Sequence, residues 1–233
     1  MKIALLLPGL TRSAKICYDS LDKYILSKYD VDIYIHTWDI SNVSLDGGYS
    51  DTELEIHEIE NLFRPKKMVV ENYFEKRNEF LNKYSKYRIQ EGTPDRSISM
   101  FYKLEKCFSL LENSYDVIIR SRMDLMINSE ILINDMNLSC INIPSVQSKK
   151  TEIIDGYAYS IPHDSHGILD SFSIGDYETM RKYCNVYGNL DEMCINNGLL
   201  YHPEFILNKN LELQSVPISR FNLDFTLVRK PNK

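Results

Sequence analysis

Two apolar runs one helix apart constrain this chain more than any other feature. Residues 2–7 (KIALLL) form an apolar stretch that ends at Pro8-Gly9, and residues 31–38 (VDIYIHTW) form a second. Between them Cys17, Leu21, Tyr24 and Ile25 recur at helical spacing, with Thr11 or Ser13 placed to cap a helix over residues 11–29. A short continuous run bounded by turn residues suits a strand buried on both faces of a parallel sheet. Strand, helix and strand within the first ~40 residues make a βαβ unit, whose right-handed crossover sets the two strands parallel.

The rest of the chain extends that pattern. Residues 39–49, with Asn42, Asp46 and Gly47-Gly48, read as a loop, residues 53–63 as a short amphipathic helix and residues 67–71 as a strand. Residues 72–96 alternate Glu and Lys and read as a solvated helix and loop without chemistry. Thr93-Pro94 signals the start of a helix running to Leu111. Its apolar arc holds Met100, Phe101, Leu104, Cys107, Phe108 and Leu111, while Ser99, Tyr102, Lys103 and Lys106 share another. Residues 117–119 are a third strong strand. Beyond Asp135 the pattern is mixed, with extended pieces at 140–143 and 157–160, a helix over 176–187 and short helices near Asp191 and Pro203. The expectation is one α/β domain over residues 1–233, with residues 1–130 nucleotide-fold-like and residues 131–233 completing a site.

Composition excludes some partners. With 27 Lys+Arg against 33 Asp+Glu, the net charge of −6 offers no whole-domain footprint for a polyanion, so nucleic acid is not expected as the main partner. Five cysteines (Cys17, Cys107, Cys140, Cys184, Cys194) show no CxxC or Cys/His ligand pattern, which implies a reduced compartment and no zinc. No stretch approaches transmembrane length, so the expected address is cytoplasmic, with a peripheral hold on a membrane left open.

Three segments carry candidate chemistry. In residues 115–126 (YDVIIRSRMDLM), a strand period of two would align Arg120, Arg122 and Asp124 on one side. Such a row is costly in mid-sheet and belongs at the carboxyl end of a strand, where open α/β sheets bind ligands. The arginines suit a diphosphate and the aspartate a divalent cation or sugar hydroxyl, with a surface ion-pair ladder as the plain alternative. Pro8, Gly9 and Arg12 follow the first strand, where a glycine admits close backbone approach and a helix start faces an anion. Neither GxGxxG nor a phosphate loop is present, so an ordinary turn is the competing reading. His36, Trp38 and Asp39 end the second strand, where Trp38 could stack on a base or sugar and Asp39 could accept its hydrogen bonds. A core Trp beside a hydrogen-bonded His36 is the plainer account.

Taken in order, Gly9 and Arg12, then DIYIHTWD (32–39), SMFYK (99–103) and YDVIIRSRMDL (115–125), resemble bacterial and viral glycosyltransferase-like proteins of lipopolysaccharide, capsule and surface-glycan synthesis. DSFSIG (170–175), Met180 and HPE (202–204) look like the acceptor-side portion of that group. The resemblance implies a GT-A-like fold, in which a Rossmann-type, mostly parallel sheet is flanked by helices, with a nucleotide-diphosphate sugar as donor and a glycan as acceptor. Such enzymes use an Asp-x-Asp metal motif, here replaced by Arg122-Met123-Asp124, which keeps only the second carboxylate. Mn²⁺ or Mg²⁺ at Asp124 is the cofactor expectation, although Arg122 removes one ligand and adds charge that could itself neutralise a diphosphate.

Within that reading Asp124 with its metal, and Arg12, Arg120 or Arg122, stabilise the leaving phosphates, and Trp38 and Asp39 hold the nucleoside. Lys103 is a further phosphate candidate, against the alternative of a snorkelling surface lysine. Asp170 and Glu204 are the candidate bases, ahead of Asp164 and Asp191. His163 and His166 are better explained by a polar loop than as metal ligands. The alternative function is a catalytically silent relative that binds a nucleotide or glycan. A phosphotransferase is disfavoured by the missing phosphate loop.

Overall fold

The computed structural model describes residues 1–233 apart from 44–48, 54–55, 92, 94–96, 113, 146–150, 161–167 and 230–233. The expected loop residues Asp46 and Gly47-Gly48, the helix-start Pro94, and His163, Asp164 and His166 lie outside the described residues.

The strands are β1 (Ile3–Pro8), β2 (Val31–Trp38), β3 (Ile40–Val43), β4 (Tyr49–Glu53), β5 (Lys67–Glu71), β6 (Val117–Ser121), β7 (Leu125–Ile127), β8 (Ile141–Ser145), β9 (Glu152–Ile154), β10 (Tyr157–Ser160), β11 (Phe172–Gly175), β12 (Ile218–Asn222) and β13 (Phe225–Arg229). The α-helices are α1 (Ala14–Leu21), α2 (Ile56–Phe63), α3 (Tyr73–Tyr84), α4 (Ser97–Phe108), α5 (Tyr177–Cys184) and α6 (Pro203–Leu213).

A seven-stranded sheet runs in the order β12-β8-β11-β6-β1-β2-β5. It is mostly parallel: β1 pairs in parallel with both β2 and β6, β2 with β5 and β8 with β12, while β11 is antiparallel to its two neighbours. This is the expected α/β architecture of a mostly parallel sheet between helices. Every residue of β1 is buried, as its unbroken apolar run requires of a strand covered on both faces. Alternation divides the strands between two cores. Ile3, Leu5, Leu7, Ile33, Ile35, Val117 and Ile119 pack on the side of α1 and α2. Ala4, Leu6, Tyr34, Trp38 and Ile118 pack on the side of α4, α5 and α6.

Several elements differ from the reading of the chain. Residues 40–43 form β3, paired with β4, rather than loop. Helix α1 widens into a π-helical turn over Asp22–Leu26. Ser13 occupies the N-cap position of α1 but its side chain makes no capping hydrogen bond; its hydroxyl donates to the Val228 carbonyl. Strand β6 stops at Ser121, so the extended row from Arg120 to Asp124 does not form; residues 123–124 turn and the chain re-enters as β7. That strand joins a second sheet, β7-β13-β10-β9. β7, β9, β11, β12 and β13 are too short or too irregular in pattern to stand out from sequence periodicity.

Chain order and spatial order reverse at one place. From β1 the chain moves outward through β2 to β5, then returns to lay β6 on the other flank of β1. The carboxyl ends of β1 and β6 therefore border the crevice that an open α/β sheet leaves at its topological switch point.

Candidate functional site

A cavity of about 360 Å³ opens at that switch point. Pro8, Gly9, Leu10 and Arg12 line it from the end of β1, Trp38 from the end of β2, and Arg120, Arg122, Met123 and Asp124 from the end of β6. Asp170 precedes β11, Glu204 lies in the first turn of α6, and Arg229 ends β13. Trp38 and Asp124, 86 positions apart in the sequence, line the same cavity.

The β1 turn is built for close approach. Gly9 has φ +102° and donates its N–H to the His36 carbonyl at 3.0 Å. Arg12 is held at φ +42°, a left-handed conformation that a non-glycine residue adopts only when its surroundings enforce it. The enforcing contacts are a backbone bond from Arg12 N to the Ser41 carbonyl at 2.9 Å and the pull of Asp124 on its guanidinium.

Asp124 organises the floor. It is 1% exposed and accepts hydrogen bonds from Arg12 Nη1 at 2.7 Å and from Arg122 Nε and Nη2, each at 2.7 Å. Arg229 Nε lies 3.5 Å from the same carboxylate. Burial alone would raise the Asp124 pKa, but the charge of Arg122, then of Arg12, with the hydrogen bonds and Arg229, holds it far below the usual carboxylate range. Arg122 is pushed the other way by Asp124 and Asp170, against its own burial. Arg229 is lowered to about 10 by burial and by repulsion from Arg122 and Arg12. Asp170 Oδ2 lies 3.6 Å from Arg122 Nη1.

Arg120 is different. It is 1% exposed, sits beside Leu6 in the sheet register, and shares the face of Ile118 by strand alternation. Its Nε and Nη1 make no hydrogen bond among the described residues.

Four described residues singled out in the sequence as site candidates do not line this cavity: His36, Asp39, Lys103 and Asp191, the last ion-paired with Lys83 at 3.0 Å. Lys103 lies outside the cavity lining and is no snorkelling surface lysine, for it is 0% exposed. Helix α4 lies against β1 and β2, and Glu71 at the end of β5 supplies the countercharge that makes the burial of Lys103 tolerable. Lys103 Nζ donates to Glu71 Oε2 at 2.8 Å and to the Thr37 carbonyl at 2.7 Å, and stands 3.4 Å from the Trp38 ring centroid. Burial lowers the Lys103 pKa to about 8 despite Glu71. His36, 3.1 Å from the same ammonium, falls to about 4 through burial and then the Lys103 charge. Asp39 accepts from Tyr73 N at 3.0 Å and Asn72 Nδ2 at 2.7 Å, so it anchors the start of α3. Trp38 is itself a core residue, stacked on Tyr102 at 6.0 Å and met edge-on by Tyr73 and Phe80. It reaches the cavity as part of a rigid wall.

The charged segment after β5, read as devoid of chemistry, contributes Tyr73 and Thr93 to the lining. Ser97, Ser99 and Met100 of α4 also line it, as do His202 and Pro203 beside Glu204. Arg229 was not visible in the sequence. Only the pairing of β13 with β7, and the Val228 N–H bonded to the Asp124 carbonyl at 2.9 Å, bring it to the site.

A divalent cation does not fit the donor set at Asp124. Both carboxylate oxygens already accept from guanidinium groups, and the position two residues earlier holds Arg122, a cation, in place of a second carboxylate. Among the described residues no group of three or more His, Cys, Asp or Glu side chains could hold a metal ion. The five cysteines are free thiols, and no helix among the described residues is long and apolar enough to cross a membrane.

No protein-family model matches the chain, and neither does any curated protein. Among solved structures the chain is similar to the crystal structure of mouse xyloside xylosyltransferase 1 in its apo form, at 11% identity and a TM-score of 0.47, over 94% of this chain and 84% of that one.

Proposed function

We propose that this chain is a glycosyltransferase with a GT-A-like site, taking a sugar from a nucleotide-diphosphate donor and passing it to a glycan acceptor. The observation that carries the reading is the convergence of the β1, β2 and β6 ends on one cavity at the switch point, with four guanidinium groups facing it. The sequence resemblance adds the acceptor class, a surface polysaccharide or glycoprotein glycan.

The chemistry requires the bond between the anomeric carbon and the diphosphate oxygen to break while an acceptor hydroxyl attacks that carbon. The electron pair leaves with the diphosphate, whose charge the guanidinium groups are placed to stabilise. For direct displacement the acceptor proton passes to a carboxylate, and Asp170 and Glu204 are the two candidates at the cavity. Trp38, with Leu10 and Met100, gives an apolar wall against which a sugar or base can lie.

The test is turnover of a panel of UDP-, GDP- and CMP-sugars, with glycan fragments as acceptors, for the parent and for Asp170→Asn and Glu204→Gln. One donor should be consumed, and the variant lacking the base should lose about 10²–10⁴-fold with its melting temperature little changed. Consumption of no donor, with none of the nucleotides bound, would remove the proposal. Binding without turnover would favour the silent nucleotide-binding relative, a reading to which the Arg122 replacement lends weight.

A further inference from the structure

Resting on the glycosyltransferase reading, we infer that the cavity neutralises its diphosphate with the Arg120 guanidinium in place of a divalent cation, so that ligand binding is independent of metal. Three observations carry this. The carboxylate that would hold a metal is saturated: Arg12, Arg122 and Arg229 surround Asp124, and its oxygens cannot coordinate a cation without displacing two arginines held at 2.7 Å. The charge of the lining leans toward an anion, with four guanidinium groups against the carboxylates of Asp124, Asp170 and Glu204. Third, Arg120 is a fully buried cation in the cavity wall that enters no ion pair among the described residues, and its Nε and Nη1 donate to nothing there.

A buried unpaired guanidinium is expensive to keep, and its fixed planar array of N–H donors suits the oxygens of a phosphate. Thr93 Oγ1, also buried at the cavity, makes no hydrogen bond among the described residues and offers a neutral donor to the same anion. Arg12, Arg122 and Arg229 are engaged with Asp124 and form the rim of positive potential, while Arg120 is the group whose pairing awaits a ligand.

Calorimetric titration with UDP, GDP, CDP and inorganic pyrophosphate, each in EDTA and in manganese, tests this on the intact protein. At least one probe should bind in EDTA, and manganese should change its affinity by less than about threefold. Arg120→Met, which removes the charge but keeps much of the volume, should weaken that probe by about 10–100-fold while the melting temperature holds or rises. Arg120→Lys, which keeps a charge but loses the planar donor array, should fall between the two. Binding that requires manganese would overturn the inference while leaving the glycosyltransferase reading standing. Pyrophosphate binding in EDTA without any nucleotide would do the reverse. Undiminished affinity in both Arg120 variants, or no binding of any probe under either condition, would overturn it outright.

Discussion

Replacing Asp124 by Asn probes the floor of the cavity most directly. The substitution conserves volume but removes one negative charge from among Arg12, Arg122 and Arg229. At an effective dielectric near 20, each charge pair about 4 Å apart is worth about 4 kcal/mol before desolvation and mutual repulsion are subtracted. Removing one partner of a buried pair costs about 3–5 kcal/mol, because the remaining charges stay buried without compensation. For a chain of this size each kcal/mol moves the melting temperature by about 2–4 °C, so Asp124→Asn should melt about 6–20 °C below the parent at pH 7. The pH dependence gives a second handle. The folded-state pKa of Asp124 lies below its ordinary value of 3.8, so its contribution is complete above that value and is lost as pH falls below it. The gap between parent and variant should be flat from pH 7 to about 5 and then close by about 1.4 kcal/mol per pH unit below about 4. Circular-dichroism melts and urea titrations across that range measure both. A melting difference under about 2 °C, or a gap that persists unchanged to pH 2, would refute a buried carboxylate holding three arginines.

Other expectations follow from the same geometry. Lys103→Met should cost about 1–3 kcal/mol at pH 7 by leaving the Thr37 carbonyl without its donor and withdrawing the ammonium from Glu71 and the Trp38 ring. Since the unfolded lysine keeps its proton to about 10.5 and the folded one only to about 8, the parent should gain on this variant as pH rises between them, and a flat difference in alkaline urea melts would contradict the burial argument. His36 remains neutral in the fold down to about 4, whereas the unfolded chain protonates it near 6.5, so parental stability should decline over that interval as pH falls. His36→Gln should remove that slope, and an unaltered slope would assign it to other groups. Gly9→Ala places a methyl in open space, so its cost is conformational only, about 1–2 kcal/mol from a positive φ; a variant as stable as the parent would show that the turn relaxes easily.

The local elements that build the parallel half of the sheet were legible because each is specified within its own residues. The unbroken apolar run of β1, the βαβ spacing to β2, and the run of Val117, Ile118 and Ile119 in β6 each state their burial without reference to the rest of the chain. Their carboxyl ends could be marked as candidate chemistry for the same reason: Pro8-Gly9, the Trp38 segment and the arginines around Asp124 follow directly on those strands.

What tertiary structure decided was the partner of each charge. Lys103 reads as a phosphate ligand or a surface lysine until Glu71 arrives from β5 to receive it, and Asp124 reads as half of a metal motif until three arginines, two from the segments that follow β1 and β6 and one from β13, close on it. Those meetings depend on long-range register: the return of β6 beside β1, the turn that ends β6 at Ser121, and the pairing of β13 with β7. A side chain's own sequence sets its charge and reach, but the cost of burying that charge depends on what stands within a few ångströms, and only the folded chain supplies that neighbour.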